Sequence, residues 1–168
     1  MAEPQQPDKA KLIIGILYLD EQLLARTLYS LVQHFGPIEI NGPTIQFTFT
    51  NYYEEEIGKN LKKIFVAFAQ SINRDVLPSI KKFTNDLEKK FSFDNKRRIN
   101  IDPGYLTEHQ VVLASAKEHP YRIYLSDGIY AQLILVYTKT GWVFVEKTFA
   151  DYQNEEVLEF LLQVRKTL

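Results

Sequence analysis

The chain has 168 residues, of which 45% are apolar and 24% charged, as in an ordinary soluble protein with a full hydrophobic core. Its 20 lysines and arginines nearly balance its 21 aspartates and glutamates, so the formal net charge is −1. This balance argues against a generally basic nucleic-acid-binding protein. The chain contains no cysteine, which excludes disulfides, a thiolate nucleophile and cysteine-ligated metal centres.

The first ten residues are polar and contain two prolines, so we expect a flexible arm followed by a single domain over residues 11–168. Residues 12–19 are apolar, but Asp20 and Glu21 follow at once and no signal-peptide cleavage pattern comes after them. No apolar run approaches the ~20 residues that a membrane span needs. We therefore expect a cytoplasmic protein that does not associate with membranes.

The hydrophobic pattern predicts six elements in the order β-α-β-β-α-β. The predicted strands span residues 11–18, 44–50, 61–69 and 97–102, and the predicted helices are capped by Asp20 and Asp75. The first strand is apolar on both faces, which is typical of a central strand. The segment Asn41-Gly42-Pro43 predicts a turn before the second strand, and Pro103-Gly104 predicts a type II turn after the fourth.

The remaining third of the chain predicts a hairpin and a helix. The segment 107–110 fits a capping box for a short helix ending near Lys117, although residues 111–113 suit a strand equally. Ser126-Asp127-Gly128 predicts a tight turn between strands 121–125 and 129–138. A strand over residues 142–146 follows, and Asn154 caps the last helix.

This order of elements suits an α+β fold, a split β-α-β (ferredoxin-like) antiparallel sheet with both helices on one face. A C-terminal β-hairpin and helix extend that core. The strand directions place the loop 51–60 and residues 96–98 at one end of the sheet and Asp102 at the opposite end. We therefore expect that Glu56 and Asp102 do not share a pocket.

The loop 51–60 is the most unusual segment because it combines two aromatic residues with three carboxylates. Glu54 and Glu56 have the oxygen ligands that a divalent cation such as Mg²⁺ or Mn²⁺ prefers, or they could act as an acid–base pair. Tyr52 and Tyr53 could stack on a flat ligand. The alternative is a solvated acidic loop that forms salt bridges with Arg97 and Arg98.

A second group of candidates surrounds the predicted Pro103-Gly104 turn. Asn100, Asp102 and Tyr105 are polar residues at the end of a buried strand, where they could bind a ligand. The alternative is that Asp102 only caps the turn. The segment 81–98 has an excess of four positive charges and could bind phosphate, or it could be a solvated helix face.

Several well-known motifs are absent. The chain has no G-x-x-x-x-G-K-[ST] phosphate loop, no G-x-G-x-x-G dinucleotide fingerprint and no G-x-S-x-G nucleophile elbow. Its three histidines are far apart in sequence and do not form a zinc motif. No motif therefore identifies a cofactor, and the carboxylates of the loop 51–60 are compatible with a divalent cation.

The chain resembles a bacterial family that is catalogued only as a domain of unknown function. The resemblance covers residues 9–165 and is carried by these blocks: KLIIGILY at 11–18, FGPI at 35–38, FTNYYEEE at 49–56, FTNDLE at 83–88, RRINIDPGYLT at 97–107 and DGIYA at 127–131. Some relatives have the label "GTP-binding protein", which the motifs of this chain do not support. The blocks contain the candidate residues named above but bring no known role for them.

Two hypotheses follow. The first is a domain that binds a small molecule or a protein partner through the loop 52–56, since no complete catalytic constellation is present. The second is a carboxylate-based hydrolase or transferase in which Glu54, Glu56 and Asp102 act as metal ligands or base and Arg97 stabilises an anion. The second requires that these groups converge in one pocket.

Overall fold

The computed structural model describes all 168 residues and contains three α-helices and one eight-stranded antiparallel sheet. The strands are β1 (Ala10–Tyr18), β2 (Ile38–Gln46), β3 (Lys62–Ile72), β4 (Ile99–Leu106), β5 (Gln110–Ser115), β6 (Ile123–Ser126), β7 (Ile129–Thr138) and β8 (Gly141–Phe144). The helices are α1 (Glu21–Phe35), α2 (Leu77–Lys90) and α3 (Glu155–Arg165). None of them is long and apolar enough to cross a membrane.

The strand order confirms the predicted ferredoxin-like core. The sheet runs β2-β3-β1-β4-β5-β7-β6, and β8 also pairs with β7. The first four strands and the two helices between them thus form the split β-α-β arrangement. The extension is larger than a hairpin, because four strands, β5 to β8, continue the sheet beyond β4.

Helices cover both faces of the core sheet. Leu12 of β1 belongs to a core shared with Leu31 of α1 and Ile80 of α2, which confirms that these two helices lie on one face. Ile13 belongs to a second core with Leu161 of α3, on the other face. Because successive side chains of a strand point to opposite faces, β1 is buried at every position.

The second strand begins and ends earlier than predicted. Asn41-Gly42-Pro43 lies inside β2, where the pairing with β3 shifts register, and does not form a separate turn. Pro43 is tolerated because β2 is an edge strand. A Cβ on Gly42 would lie 2.8 Å from the Phe160 ring, so glycine here lets α3 pack closely on the sheet.

The predicted turn at Pro103-Gly104 is wrong, because β4 continues through both residues and pairs with β1. The chain turns instead at Thr107, whose hydroxyl accepts hydrogen bonds from the backbone amides of His109 and Gln110. That local capping geometry leads into strand β5, so the strand alternative was the correct one for residues 111–113.

Most of the predicted caps and the hairpin turn are present. Asp20 and Asn154 accept hydrogen bonds from the first turns of α1 and α3. Asp127 and Gly128 both have positive φ, at 51° and 74°, as a tight hairpin turn requires. Asp75 does not cap α2, because it lies in a short 3-10 turn that precedes the helix.

Candidate functional site

The sheet forks between β4 and β5. These strands pair over only three residue pairs, and Gly104 is the last paired residue of β4 on the side of the fork. The next pair would need an amide hydrogen from Pro103, which proline lacks. Beyond it, the N–H of Ile101 donates to Glu88 Oε1 at 2.6 Å, and its carbonyl accepts from Lys81 Nζ at 2.9 Å. Side chains of α2 therefore satisfy the edge of β4 that β5 leaves open.

A cavity of about 490 Å³ lies at this fork, within the size range of small-molecule sites. Its wall combines charged groups with aromatic rings. The cations are Lys63, Lys81, Arg97, Lys117 and Arg122, the carboxylates are Glu88, Asp102 and Asp151, and the rings are those of Phe47, Tyr52, Tyr53 and Phe149. Cations outnumber carboxylates on this wall, so the cavity favours a ligand with negative charge.

Lys63 is the buried centre of one ionic network. Its Nζ atom lies 3.0 Å from Asp102 Oδ2 and 2.7 Å from Asp151 Oδ2. Asp151 lies in the short 3-10 turn before α3, and Asp102 lies on β4. Since β1 separates β3 from β4 in the sheet, the Lys63 side chain crosses β1 to reach Asp102. Three distant parts of the chain therefore meet at one ammonium group.

The carboxyl group of Asp102 is held as an anion. Burial alone would raise the pKa of Asp102, but Lys63 and Lys81 outweigh it and lower the pKa, with help from a hydrogen bond donated by Asn100. Burial likewise opposes the charge of Lys63, yet the carboxylates of Asp102 and Asp151 raise the pKa of this ammonium group. Both partners are therefore charged at neutral pH.

Arg97 joins a second network to the first. Its Nε and NH2 groups donate to the two oxygens of Glu56 at 2.8 and 2.7 Å, and its NH1 group donates to Asn100 Oδ1 at 2.7 Å. These hydrogen bonds lower the pKa of Glu56, whereas burial raises the pKa of Glu88, which lies 3.5 Å from Arg97. The cavity thus contains two carboxylates, Glu88 and Asp102, whose pKa values are shifted in opposite directions.

The loop 51–60 closes one side of the cavity. The Arg97 guanidinium lies over the Tyr53 ring, 5.8 Å from its centroid, and burial raises the pKa of Tyr53 to about 12. The exposed Tyr52 hydroxyl lies 2.6 Å from Lys117 Nζ, which lowers the pKa of Tyr52. The loop is therefore attached to β4 through Arg97 and to the segment after β5 through Lys117.

Two cations of the cavity wall have no carboxylate partner. No carboxylate oxygen lies within 4.0 Å of the Lys117 ammonium or the Arg122 guanidinium. Arg122 instead donates to Gln132 Oε1 and to the backbone carbonyl of Lys117, both at 2.8 Å. Burial lowers the pKa of Arg122, as expected for a charge that is shielded from water without an ion pair. These two groups are available to an anion.

Five of the eight candidate residues from the sequence line this cavity: Tyr52, Tyr53, Arg97, Asn100 and Asp102. Glu56 lies behind Arg97 and holds it in place. Glu54 is not part of the cavity wall. Tyr105 does not line the cavity, because its side chain points to the opposite face of β4 from those of Asn100 and Asp102. It packs against the small core around Leu77.

The expectation that the loop 51–60 and Asp102 lie at opposite ends of the sheet is wrong. Asp102 lies within β4 and not at its end, because the strand continues to Leu106. Glu56 is connected to Asp102 through Arg97 and Asn100, by a continuous chain of hydrogen bonds. Both polar clusters therefore meet around one cavity, although the predicted core topology is correct.

The predicted salt bridge between the loop and Arg97 is present, while Arg98 pairs with Asp20. Because both oxygens of Glu56 accept hydrogen bonds from Arg97, this carboxylate has a partner already and is poorly suited to a metal. No group of three or more histidine, aspartate or glutamate side chains is placed to hold a metal ion.

The basic segment 81–98 does not form one surface. Lys81 is buried, whereas the other lysines of the segment are exposed.

Sequence reasoning singled out neither of the charges that the cavity leaves unpaired nor most of its ion pairs. Six charged residues of the wall were not site candidates: Lys63, Lys81 (counted only within the basic segment 81–98), Glu88, Lys117, Arg122 and Asp151. For two of them a signal was present. Lys81 and Glu88 fall on the same helical stripe as Leu77, Thr84 and Leu87, and this stripe is buried. Charged residues on an apolar stripe are rarely buried without a partner, so they mark a polar site beneath the helix.

Comparison with known proteins identifies the family. The family model described as "Domain of unknown function (DUF4416)" matches residues 8–168, so the chain belongs to this family. Comparisons with curated proteins and with solved structures gave no match.

Proposed function

We propose that this member of the DUF4416 family binds a small anionic molecule in the cavity between β4 and β5. The observation that supports the proposal is the pair Lys117 and Arg122, which face the cavity and have no carboxylate within 4.0 Å. The other cations of the wall are already neutralised by Glu56, Glu88, Asp102 or Asp151 or bonded to the backbone. An anion would supply the missing counter-charge.

The aromatic wall supports a ligand of small-molecule size. Tyr53 is held in place by Arg97, and Phe47 packs edge-on against it at 5.9 Å between ring centroids. Such preorganised rings offer apolar contact to the uncharged part of a ligand. In this proposal the loop 52–56 supplies the flat wall, and Lys117 and Arg122 supply the charge.

A thermal-shift screen tests the proposal. The panel contains inorganic phosphate, sulfate, small carboxylates and phosphorylated metabolites, each compared with sodium chloride at equal ionic strength. A ligand at 100 times its dissociation constant stabilises the protein by about 2.7 kcal/mol. We expect at least one anion to raise the Tm of the wild type, and Arg122→Gln and Lys117→Gln to reduce this shift.

Lys139→Gln is the matched control, because this substitution also removes one positive charge. Lys139 is exposed in the β7–β8 turn, away from the cavity. Its ligand-induced shift should equal that of the wild type. If no anion raises the Tm of the wild type, or if all three variants respond alike, the proposal is wrong.

A carboxylate-based hydrolase or transferase is the second candidate. The observation that favours it is the opposite shift of the pKa values of Glu88 and Asp102 in one cavity, which suits an acid and a base. It predicts that a ligand found in the screen is converted to product. To decide between binding and catalysis, the ligand is incubated overnight with the wild type and with Glu88→Gln and is then analysed for product by NMR. Unchanged ligand in both samples favours binding alone.

A further inference from the structure

Asp102 and Lys81 form an incomplete pair at the inner end of the cavity. Asp102 Oδ2 accepts hydrogen bonds from Lys63 and Asn100, both at 3.0 Å. Asp102 Oδ1 accepts no hydrogen bond from the protein, and Lys81 Nζ lies 4.0 Å from it. Lys81 uses one proton on the Ile101 carbonyl. One acceptor and two donor protons therefore remain unused side by side on the cavity wall.

The separation of these two groups fits one inserted oxygen atom. An O–H···O bond is about 2.7 Å long and an N–H···O bond about 2.9 Å. Because Asp102 Oδ1 and Lys81 Nζ are 4.0 Å apart, an oxygen atom can bond to both at once, with an angle of roughly 90° between the two bonds. Such an atom must donate to the carboxylate and accept from the ammonium group. A ligand carboxylate would be repelled by Asp102, and a ligand ammonium by Lys81. An alcohol hydroxyl meets both requirements.

We infer that the ligand is a hydroxylated anion, such as a phosphorylated or carboxylated polyol, and that one of its hydroxyl groups binds between Asp102 and Lys81. This inference rests on the proposed function, because the negative charge of the ligand is assigned to Lys117 and Arg122. It adds the chemical class of the ligand. The neighbouring Asn85, which also lines the cavity, offers an amide for a further hydroxyl group.

The electrostatics of the site are consistent with this assignment. Lys63 compensates the charge of Asp102 through Oδ2, so the free oxygen Oδ1 is a strong acceptor whose partner need not be charged. The Lys81 side chain is 8% exposed, which holds its ammonium group in one place. A ligand without the hydroxyl would leave both groups desolvated and unpaired, and this cost is the source of selectivity.

Isothermal titration with matched pairs of probes tests the inference. The pairs are glycerol 3-phosphate with propyl phosphate, ribose 5-phosphate with pentyl phosphate, and gluconate with hexanoate. We expect at least one hydroxylated probe to bind about tenfold or more tightly than its alkyl partner. In Lys81→Met and in Asp102→Asn this preference should fall below about threefold.

Lys82→Met and Asp86→Asn, exposed on the same helix, are the matched controls and should keep the wild-type preference. Equal binding within every pair overturns this inference and leaves the proposed function standing, whereas no binding of any probe or of inorganic phosphate overturns both. A preference that persists in Lys81→Met and Asp102→Asn overturns the assignment to these residues. If Asp102→Asn does not fold, Lys81→Met alone decides.

Discussion

Lys63 reaches Asp102 by passing directly over Gly15. Gly15 of β1 pairs with Phe65 of β3 on one side and with Asp102 of β4 on the other. A Cβ atom at Gly15 would lie 2.7 Å from Lys63 Cε, closer than real contacts allow. The missing side chain in the central strand is therefore what lets a lysine cross the sheet to the cavity.

Gly15→Ala should displace the Lys63 side chain and weaken its bond to Asp102. Because the clash is with the far end of a flexible side chain, we expect a loss of roughly 1–3 kcal/mol in the free energy of unfolding and no misfolding. Urea unfolding followed by circular dichroism measures it. The same substitution in a Lys63→Ala background should cost clearly less, and an equal cost in both backgrounds would show that Lys63 is not the residue displaced.

Lys63→Met should destabilise the protein strongly, because it leaves two carboxylates next to each other without a counter-ion. Removing one partner of a buried ion pair typically costs about 3–5 kcal/mol. Lys62→Met is the matched control, since the neighbouring Lys62 forms an exposed pair with Glu21. We expect this control to unfold at nearly the wild-type urea concentration. Similar midpoints for the two variants would contradict the central place of Lys63.

The pH dependence of stability should change in opposite directions in Glu56→Gln and Glu88→Gln. Arg97 lowers the pKa of Glu56 in the folded protein. Glu56 therefore stabilises the fold fully above its ordinary pKa of about 4.3, and this stabilisation is lost as the pH falls through the folded pKa. Burial raises the pKa of Glu88 in the folded protein. Protonated Glu88 therefore stabilises the fold fully below about 4.3, and this stabilisation is lost as the pH rises through the folded pKa.

Urea unfolding between pH 3 and pH 7 measures both effects. Relative to wild type, Glu56→Gln should lose less stability toward acid, and Glu88→Gln should lose less stability as the pH rises from acid toward neutrality. Two variants with parallel pH profiles would show that these carboxylates do not have the surroundings described.

Local patterns predicted the core fold well because they depend on burial. The fully apolar β1 and the amphipathic α1 and α2 are each dictated by nearby residues and belong to the order β-α-β-β-α-β. The Asp127-Gly128 turn likewise fixes the later hairpin of β6 and β7. The predicted turn at Pro103-Gly104 is wrong for a physical reason. Glycine there permits the close approach of Val112 of β5, and proline ends the ladder, so both residues act between strands and not in a turn.

The candidate site was predicted in part. Tyr53, Arg97 and Asp102 were recognised because polar and aromatic residues are conspicuous beside a buried strand. Their convergence was not foreseen, because it depends on where β4 ends and on how far the Lys63 side chain reaches across β1. Such long-range placement is set by the packing of distant segments, which single-sequence patterns do not report.

The central claim is that an anion binds at Lys117 and Arg122. The most direct measurement is a titration of the isotope-labelled protein with inorganic phosphate, followed by NMR amide shifts at constant ionic strength, with sodium chloride as the reference. We predict saturable shifts centred on Tyr52, Lys117 and Arg122, with exposed Lys82 and Lys139 unaffected. Shifts that do not saturate, or that are as large at Lys82 and Lys139, would contradict the account.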